Sequence, residues 1–235
     1  MPSDAVASPT VSETFATFLD EQRERLAPRT FANYETIIEL FADCLNGYGH
    51  QSLSPFERKR WEAAYDGGDE EAFVHLFGAD KITENLSEFL GYFMVRKVMA
   101  GQELLKAAGT VTKKLAKSLA AQGLIDADDA AVATNTAVDA ARDLPKADRL
   151  GTMLFDQTRL TRHFDVDDVP DDDWVEDSLF IDRVQDNQLW FEGDVGPLDV
   201  SPQAAKLAQP GWQVTITMAK HNGKWHLLDV GNVYP

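Results

Sequence analysis

The apolar period changes once along this chain, and that change divides it. Up to about residue 163 the large apolar residues recur at intervals of three and four, the spacing that keeps side chains on one side of a helix. From residue 178 onward they alternate, as in a half-buried strand. Leu179-Phe-Ile-Asp-Arg-Val184 and Gln188-Leu-Trp-Phe191 flank a tight Asp186-Asn187 turn, and residues 197–200 make a short third strand. Ser201-Pro202 opens a helical turn that Pro210-Gly211 closes. Trp212, Val214, Ile216 and Met218 then share one side of a run that ends at Lys220. Asn222-Gly223 is the strongest two-residue hairpin signal available, and residues 225–233 return. The expected fold class is therefore α+β and multidomain. An N-terminal all-α helical bundle precedes a small C-terminal β-barrel of about five strands.

Residues 101–125, GQELLKAAGTVTKKLAKSLAAQGLI, organise the helical part. Leu104, Ala108, Val111, Leu115 and Leu119 fall at spacings of four, three, four and four, which aligns them as one apolar stripe. Lys106, Thr110, Lys113 and Lys117 form a second stripe displaced around the same helix, and Lys114 lies beside it. Gly123-Leu124 reads as a Schellman stop, with glycine left-handed and leucine folding back on the last turn. One side of this helix must be buried, and another offers cations in a row.

The other helices are placed by local signals. Thr10-Val-Ser-Glu13 is a capping box that opens a helix to about Arg25, with Phe15, Phe18 and Leu19 inside. Pro28 suits the first turn of the next helix, which carries Tyr34, Ile37, Ile38, Phe41, Cys44 and Leu45. Residues 50–80 read as an insertion. Within it Ser54-Pro55 caps a short helix bearing Phe56, Trp61 and Tyr65, and Asp66-Gly67-Gly68-Asp69 breaks it. Thr83 is expected to cap a helix with Leu86, Phe89, Leu90, Phe93 and Met94 inside, paired antiparallel with the organising helix. Residues 126–143 are expected to be a helix stopped by Leu144-Pro145, and residues 150–163 a last one. The domain plan is a disordered tail at 1–9, a bundle at 10–164 with the insertion 50–80, an acidic linker at 165–177 and the barrel at 178–235.

A net charge of −17 argues at first against a polyanionic partner. The distribution weakens that objection, because residues 81–117 hold seven basic and three acidic side chains and contain the organising helix. No apolar run approaches the ~18 residues of a membrane span. The start MPSDAVASPT has neither the basic nor the apolar region of a signal peptide. A cytoplasmic protein without a membrane partner is expected. The single cysteine, Cys44, excludes an internal disulfide, and its place on an apolar helix side makes it a buried hydrophobe rather than a nucleophile. The acidic linker lacks the glycine and distal glutamate of an EF-hand loop, and His221 and His226 have no spaced partner, so no metal and no cofactor are expected.

Two segments carry a resemblance. In the first, residues 14–47, a helix ends in the turn Leu26-Ala27-Pro28-Arg29-Thr30, and the next helix holds the pair Asn33-Tyr34. The second is the organising helix with its Gly123-Leu124-Ile125 ending. Together they resemble the core-binding domain of tyrosine recombinases and phage integrases, over residues 10–125. The resemblance implies an all-α SAM-like bundle that clamps DNA. The chain departs from that pattern at Ala27, where a capping serine is usual, and in the insertion. It also lacks the family's catalytic domain. None of His50, His75, His163, His221 or His226 is followed by arginine at the third place, and Tyr234 has no arginine cluster to serve. No catalytic residue and no enzymatic activity are expected.

The resulting expectation is a DNA-associated module. Lys106, Lys113, Lys114 and Lys117 would contact phosphates of double-stranded DNA, and Arg29, Arg96 and Lys97 would extend the patch if the bundle folds as in the family. The barrel, of the SH3-like or OB-like sort, would bind a protein or nucleic acid. The alternative is a protein–protein adaptor with no nucleic-acid role, in which the lysines are only a solvated helix surface. A continuous basic side on the organising helix favours DNA, and an interrupted one favours the adaptor.

Overall fold

Both halves of the Thr10 capping box form in the computed structural model, which describes residues 8–160 and 169–235. The Glu13 amide donates to Thr10 Oγ1 at 3.2 Å, and the Thr10 amide donates to Glu13 Oε2 at 2.8 Å. The helix they open is α1 (Val11–Arg23), with Val11, Phe15 and Phe18 buried. α2 (Pro28–Tyr48) starts on Pro28, whose missing N–H would be unpaired there in any case. Ala27 makes no side-chain cap bond. The described chain divides into two units. One comprises residues 8–94 with Glu103–Ala141, the other Val95–Gln102 with Arg142–Pro235.

In the first unit, α3 (Pro55–Asp66), α4 (Ala72–Leu76), α5 (Asp80–Glu84) and α6 (Leu86–Glu88) follow. A π-helical turn, Phe89–Phe93, continues α6 and runs into α7 (Met94–Arg96). Thr83 lies inside α5 rather than capping a helix, and its hydroxyl donates to the Asp80 carbonyl at 3.0 Å. The π turn brings Phe89, Leu90, Phe93 and Met94 all inward. α8 (Gln102–Ala121) and the first part of α9 (Ala127–Thr158) complete the unit. Gly109 of α8 sits against the backbone of Ala137 and Ala141 on α9, a spacing that no side chain could share.

α3 has no fully buried side chain and is held at its N-terminus instead. Glu57 Oε2 accepts from the Ser54 amide at 2.9 Å and from Ser54 Oγ at 2.6 Å, while Glu57 Oε1 lies 3.2 Å from Lys81 Nζ. The Ser54 hydroxyl, then the Ser54 amide, then Lys81 hold the Glu57 carboxyl down at about 2. A carboxylate depressed in the fold contributes stability above its ordinary pKa, and that stability is lost as pH falls toward the depressed value. Urea denaturation should therefore show Glu57→Gln less stable than wild type at neutral pH, with the difference shrinking between about pH 4.5 and pH 2. A difference independent of pH would place the effect elsewhere than in this carboxylate.

Pro145 was expected to stop a helix, yet α9 continues through it to Thr158. A proline inside a helix leaves the carbonyl four residues back, here Ala141, without its donor. Burial offsets that loss, because Leu144, Ala147, Leu150 and Leu154 are at most 2% exposed. The expected helix over 150–163 is the C-terminal part of α9 as far as Thr158. Its last residues, 161–163, lie outside the described residues, as do 1–7 of the expected tail and 165–168 of the expected linker. The linker expectation also yields at its other end, where β1 (Trp174–Gln185) begins at Trp174 after a 3-10 turn, Asp171–Asp173.

The second unit is built on a five-stranded antiparallel sheet. β1 is followed by β2 (Gln188–Phe191), β3 (Val195–Asp199), the short α10 (Pro202–Leu207), β4 (Gln213–His221) and β5 (Lys224–Tyr234). The strand order is β3-β2-β1-β4-β5. The Asp186-Asn187 and Asn222-Gly223 turns take positive φ, as two-residue hairpins require. Both were legible from residue type. The expected closed barrel does not form, because no ladder joins β3 to β5. β3 is only five residues long, and its Pro197 has no N–H to donate to a further strand. The open sheet is filled instead by a helix. Ala147, Leu150 and Leu154 of α9 join Ile181, Leu189, Phe191, Val214, Ile216, Met218 and Leu227 in one apolar core.

Candidate nucleic-acid interface

α8 ends as its glycine predicts. Gly123 has φ of 69°, the Leu124 amide donates to the Leu119 carbonyl at 3.0 Å, and the Gly123 amide donates to the Ala120 carbonyl at 3.0 Å. The buried side of α8 is Leu105, Ala108, Gly109, Val111, Thr112, Leu115, Ala116 and Leu119. The apolar stripe is therefore as spaced, except that Leu105 takes the deep position and Leu104 is half-buried. Thr112 is tolerated inside because its hydroxyl donates to the Ala108 carbonyl at 2.7 Å.

That burial fixes the opposite side. Lys106, Thr110, Lys114 and Lys117 are exposed at spacings of four, four and three, while Lys113 is half-buried at the margin. Among the described residues, none of these four lysines has an ion-pair or side-chain hydrogen-bond partner. Glu103 in the first turn complements the helix dipole and lies 3.4 Å from Arg29 Nη2. Both side chains are more than four-fifths exposed, so the pair is worth at most about 1 kcal/mol. It brings Arg29 to the N-terminal end of α8 with its charge partly answered. Arg96 and Lys97 are exposed, and both belong to the second unit.

α1 runs alongside the C-terminal half of this side and makes a groove of about 370 Å³ with it. Glu21, Gln22 and Arg25 line it from α1 and the turn after it, and Lys114, Lys117, Ser118, Ala121 and Gln122 line it from α8 and its end. Arg25 thus adds a third cation to Lys114 and Lys117. The groove's only carboxylate, Glu21, accepts from Ser118 Oγ at 3.1 Å and from Gln122 Nε2 at 3.3 Å. Gln122 Nε2 also donates to Ser118 Oγ at 3.1 Å. Sequence reasoning singled out the lysines but not Glu21, Arg25, Ser118 or Gln122. Glu21 and Arg25 do stand four apart in sequence, but their pairing with a helix some ninety residues on carries no local signal.

The alternatives to this site are chemically quiet. Cys44 is 1% exposed, and burial, then the nearby Glu88 charge, push its thiol up to about 12, far from a reactive thiolate. Among the described residues no group of three His, Cys, Asp or Glu side chains could hold a metal ion, and no helix is long and apolar enough to cross a membrane. Compared with known proteins, the chain matches no family model, no curated protein and no solved structure.

Proposed function

We propose that the chain is a non-enzymatic DNA-associated module whose first unit, a SAM-like bundle of the recombinase core-binding kind, contacts phosphates through the exposed side of α8. The observation that carries this reading is the set of α8 lysines. They lie on a side that burial of Leu115 and Leu119 forces outward, and they have no ion-pair partner among the described residues. Cations left unanswered on a chain of net charge −17 are best explained by an anion that arrives from outside. Arg25 extends the row across the groove to the turn after α1.

The test uses the full chain and a labelled random-sequence duplex, titrated from low to moderate salt. Each phosphate that a lysine no longer neutralises takes about 0.9 off the slope of log affinity against log salt. Lys114→Glu with Lys117→Glu should weaken binding and flatten that slope by about 2. Absence of binding at low ionic strength, where charge is least screened, would defeat the proposal. The adaptor reading would then stand first, with α3 as its surface, since Phe56 there is 80% exposed and is followed by exposed Lys59 and Arg60.

A further inference from the structure

The groove between α1 and α8 has an unusual division of partners. It holds three cations, Arg25, Lys114 and Lys117, and one carboxylate, Glu21. In such a set the carboxylate would ordinarily pair with a cation. Here it does not: Glu21 is satisfied by two neutral donors, Ser118 Oγ at 3.1 Å and Gln122 Nε2 at 3.3 Å. Among the described residues, Arg25, Lys114 and Lys117 have no ion-pair partner, Glu21 included. The neutral donors and the cations therefore face one space, and only the donors are occupied.

A phosphodiester oxygen needs what this groove supplies. Cations balance its charge, and neutral O–H and N–H donors fix its position. Ser118 and Gln122 stand one helical turn apart, so one small anion can reach both, and Lys114 lies one turn before Ser118 on the same side. We propose that the groove is a phosphate seat for one backbone phosphate of a nucleic acid, and that Glu21 occupies its neutral donors until that phosphate displaces it. This rests on the DNA-binding reading and adds to it a defined subsite with an internal competitor. Ser118 and Gln122 become ligand donors, and the Glu21 carboxylate sets the affinity of the subsite.

The competitor predicts an increase where most substitutions produce a loss. Glu21→Gln removes one negative charge but keeps a bond to each partner, its one carbonyl oxygen accepting from Gln122 Nε2 and its amide NH2 donating to Ser118 Oγ in place of the oxygen that accepted there. The melting temperature should therefore not move. Removing a like charge from beside the phosphate should tighten binding by about fivefold at low salt, and the gain should shrink as salt rises. Glu62→Gln on α3 makes the same change in net charge outside the groove and should leave affinity unchanged. Ser118→Ala should weaken binding, since the phosphate loses a donor.

The measurement is fluorescence anisotropy of a labelled random-sequence duplex against full-length wild type and each variant. Equal affinity of Glu21→Gln and wild type, with Lys114→Glu/Lys117→Glu still defective, would overturn the seat and leave the DNA reading standing. An equal gain from Glu62→Gln would also overturn it, because the effect would then be one of overall charge. If neither wild type nor Glu21→Gln binds at low salt, both the seat and the reading beneath it fail.

Discussion

Gly109→Ala should destabilise the protein, although alanine is a better helix former than glycine by about 1 kcal/mol. A Cβ at this position would lie against the Ala137 carbonyl and the Ala141 amide, and within 2.7 Å of the Ala141 Cα. These are backbone atoms of α9, so no rotamer change can make room. α8 and α9 would have to separate along a line where Ala108, Val111, Ala133 and Ala137 are all at most 3% exposed. Overpacking of this kind costs about 1–3 kcal/mol after the propensity gain, and Gly109→Val, with two further methyl groups and a stiff χ1, should exceed about 3 kcal/mol. Gly47 in α2 is the control. A Cβ there meets nothing within 4 Å, and Gly47→Ala should stabilise by up to about 1 kcal/mol. Urea denaturation of the three variants reads the signs directly. A stabilising Gly109→Ala would mean that α8 and α9 do not approach as closely as described.

Gly109 also shows where sequence reasoning stops. Within α8 it is only a weak position for a helix, and its necessity arises from a helix almost thirty residues later. Features set by neighbouring residues were legible: the Thr10 and Ser54 caps, the Gly123 stop, the Asn222-Gly223 hairpin, and the division of α8 into buried and exposed sides. Features decided at long range were not. Pro145 carries a true local signal for a helix end, and it is overridden because Leu150 and Leu154 on the far side fill an open sheet. The same helix explains the missed barrel. Alternation in Trp212, Val214, Ile216 and Met218 specifies a buried sheet side, but not whether another strand or a helix covers it. The π turn at Phe89–Phe93 resembles an ordinary helix in sequence, since the same residues point inward in both.

The site follows the same division. Lys106, Lys114 and Lys117 are legible from period alone, because burying one stripe exposes the other. Lys113 shares their stripe in sequence and proves half-buried, as its position one residue before Lys114 turns it toward the margin. Arg29 reaches the end of α8 through Glu103. Arg25, Glu21, Ser118 and Gln122 enter only once α1 is placed beside α8. The α8 side is accordingly basic along Lys106, Lys114 and Lys117, with Glu103 facing Arg29 at its N-terminal end and Glu21, held by neutral donors, beside its C-terminal half.

Phe41→Ala should remove about 3–5 kcal/mol of stability. The Phe41 ring is fully buried and stands 4.3 Å from Phe89 at 11°, nearly parallel, with Phe15 5.7 Å away on another side. It thus joins α1, α2 and the π turn, and truncation leaves a cavity that three elements would have to close together. A domain is typically stable by only about 5–15 kcal/mol, so this is a large share, and in a chain of this size it corresponds to a fall of roughly 6–20 °C in Tm. Ring stacking is a separable part of the loss. Phe41→Leu and Phe89→Leu keep most of the apolar volume, and their double-mutant cycle should show a coupling of about 0.5–1.5 kcal/mol. The comparison also protects the functional test. Well below its transition, Phe41→Leu should bind DNA as wild type does, because Phe41 is not among the residues that line the groove and acts only on the folded fraction. A loss of affinity at full folding would show that the α1–α8 groove depends on this packing. A change in stability below about 1 kcal/mol for Phe41→Ala would show that the three elements do not converge on its ring.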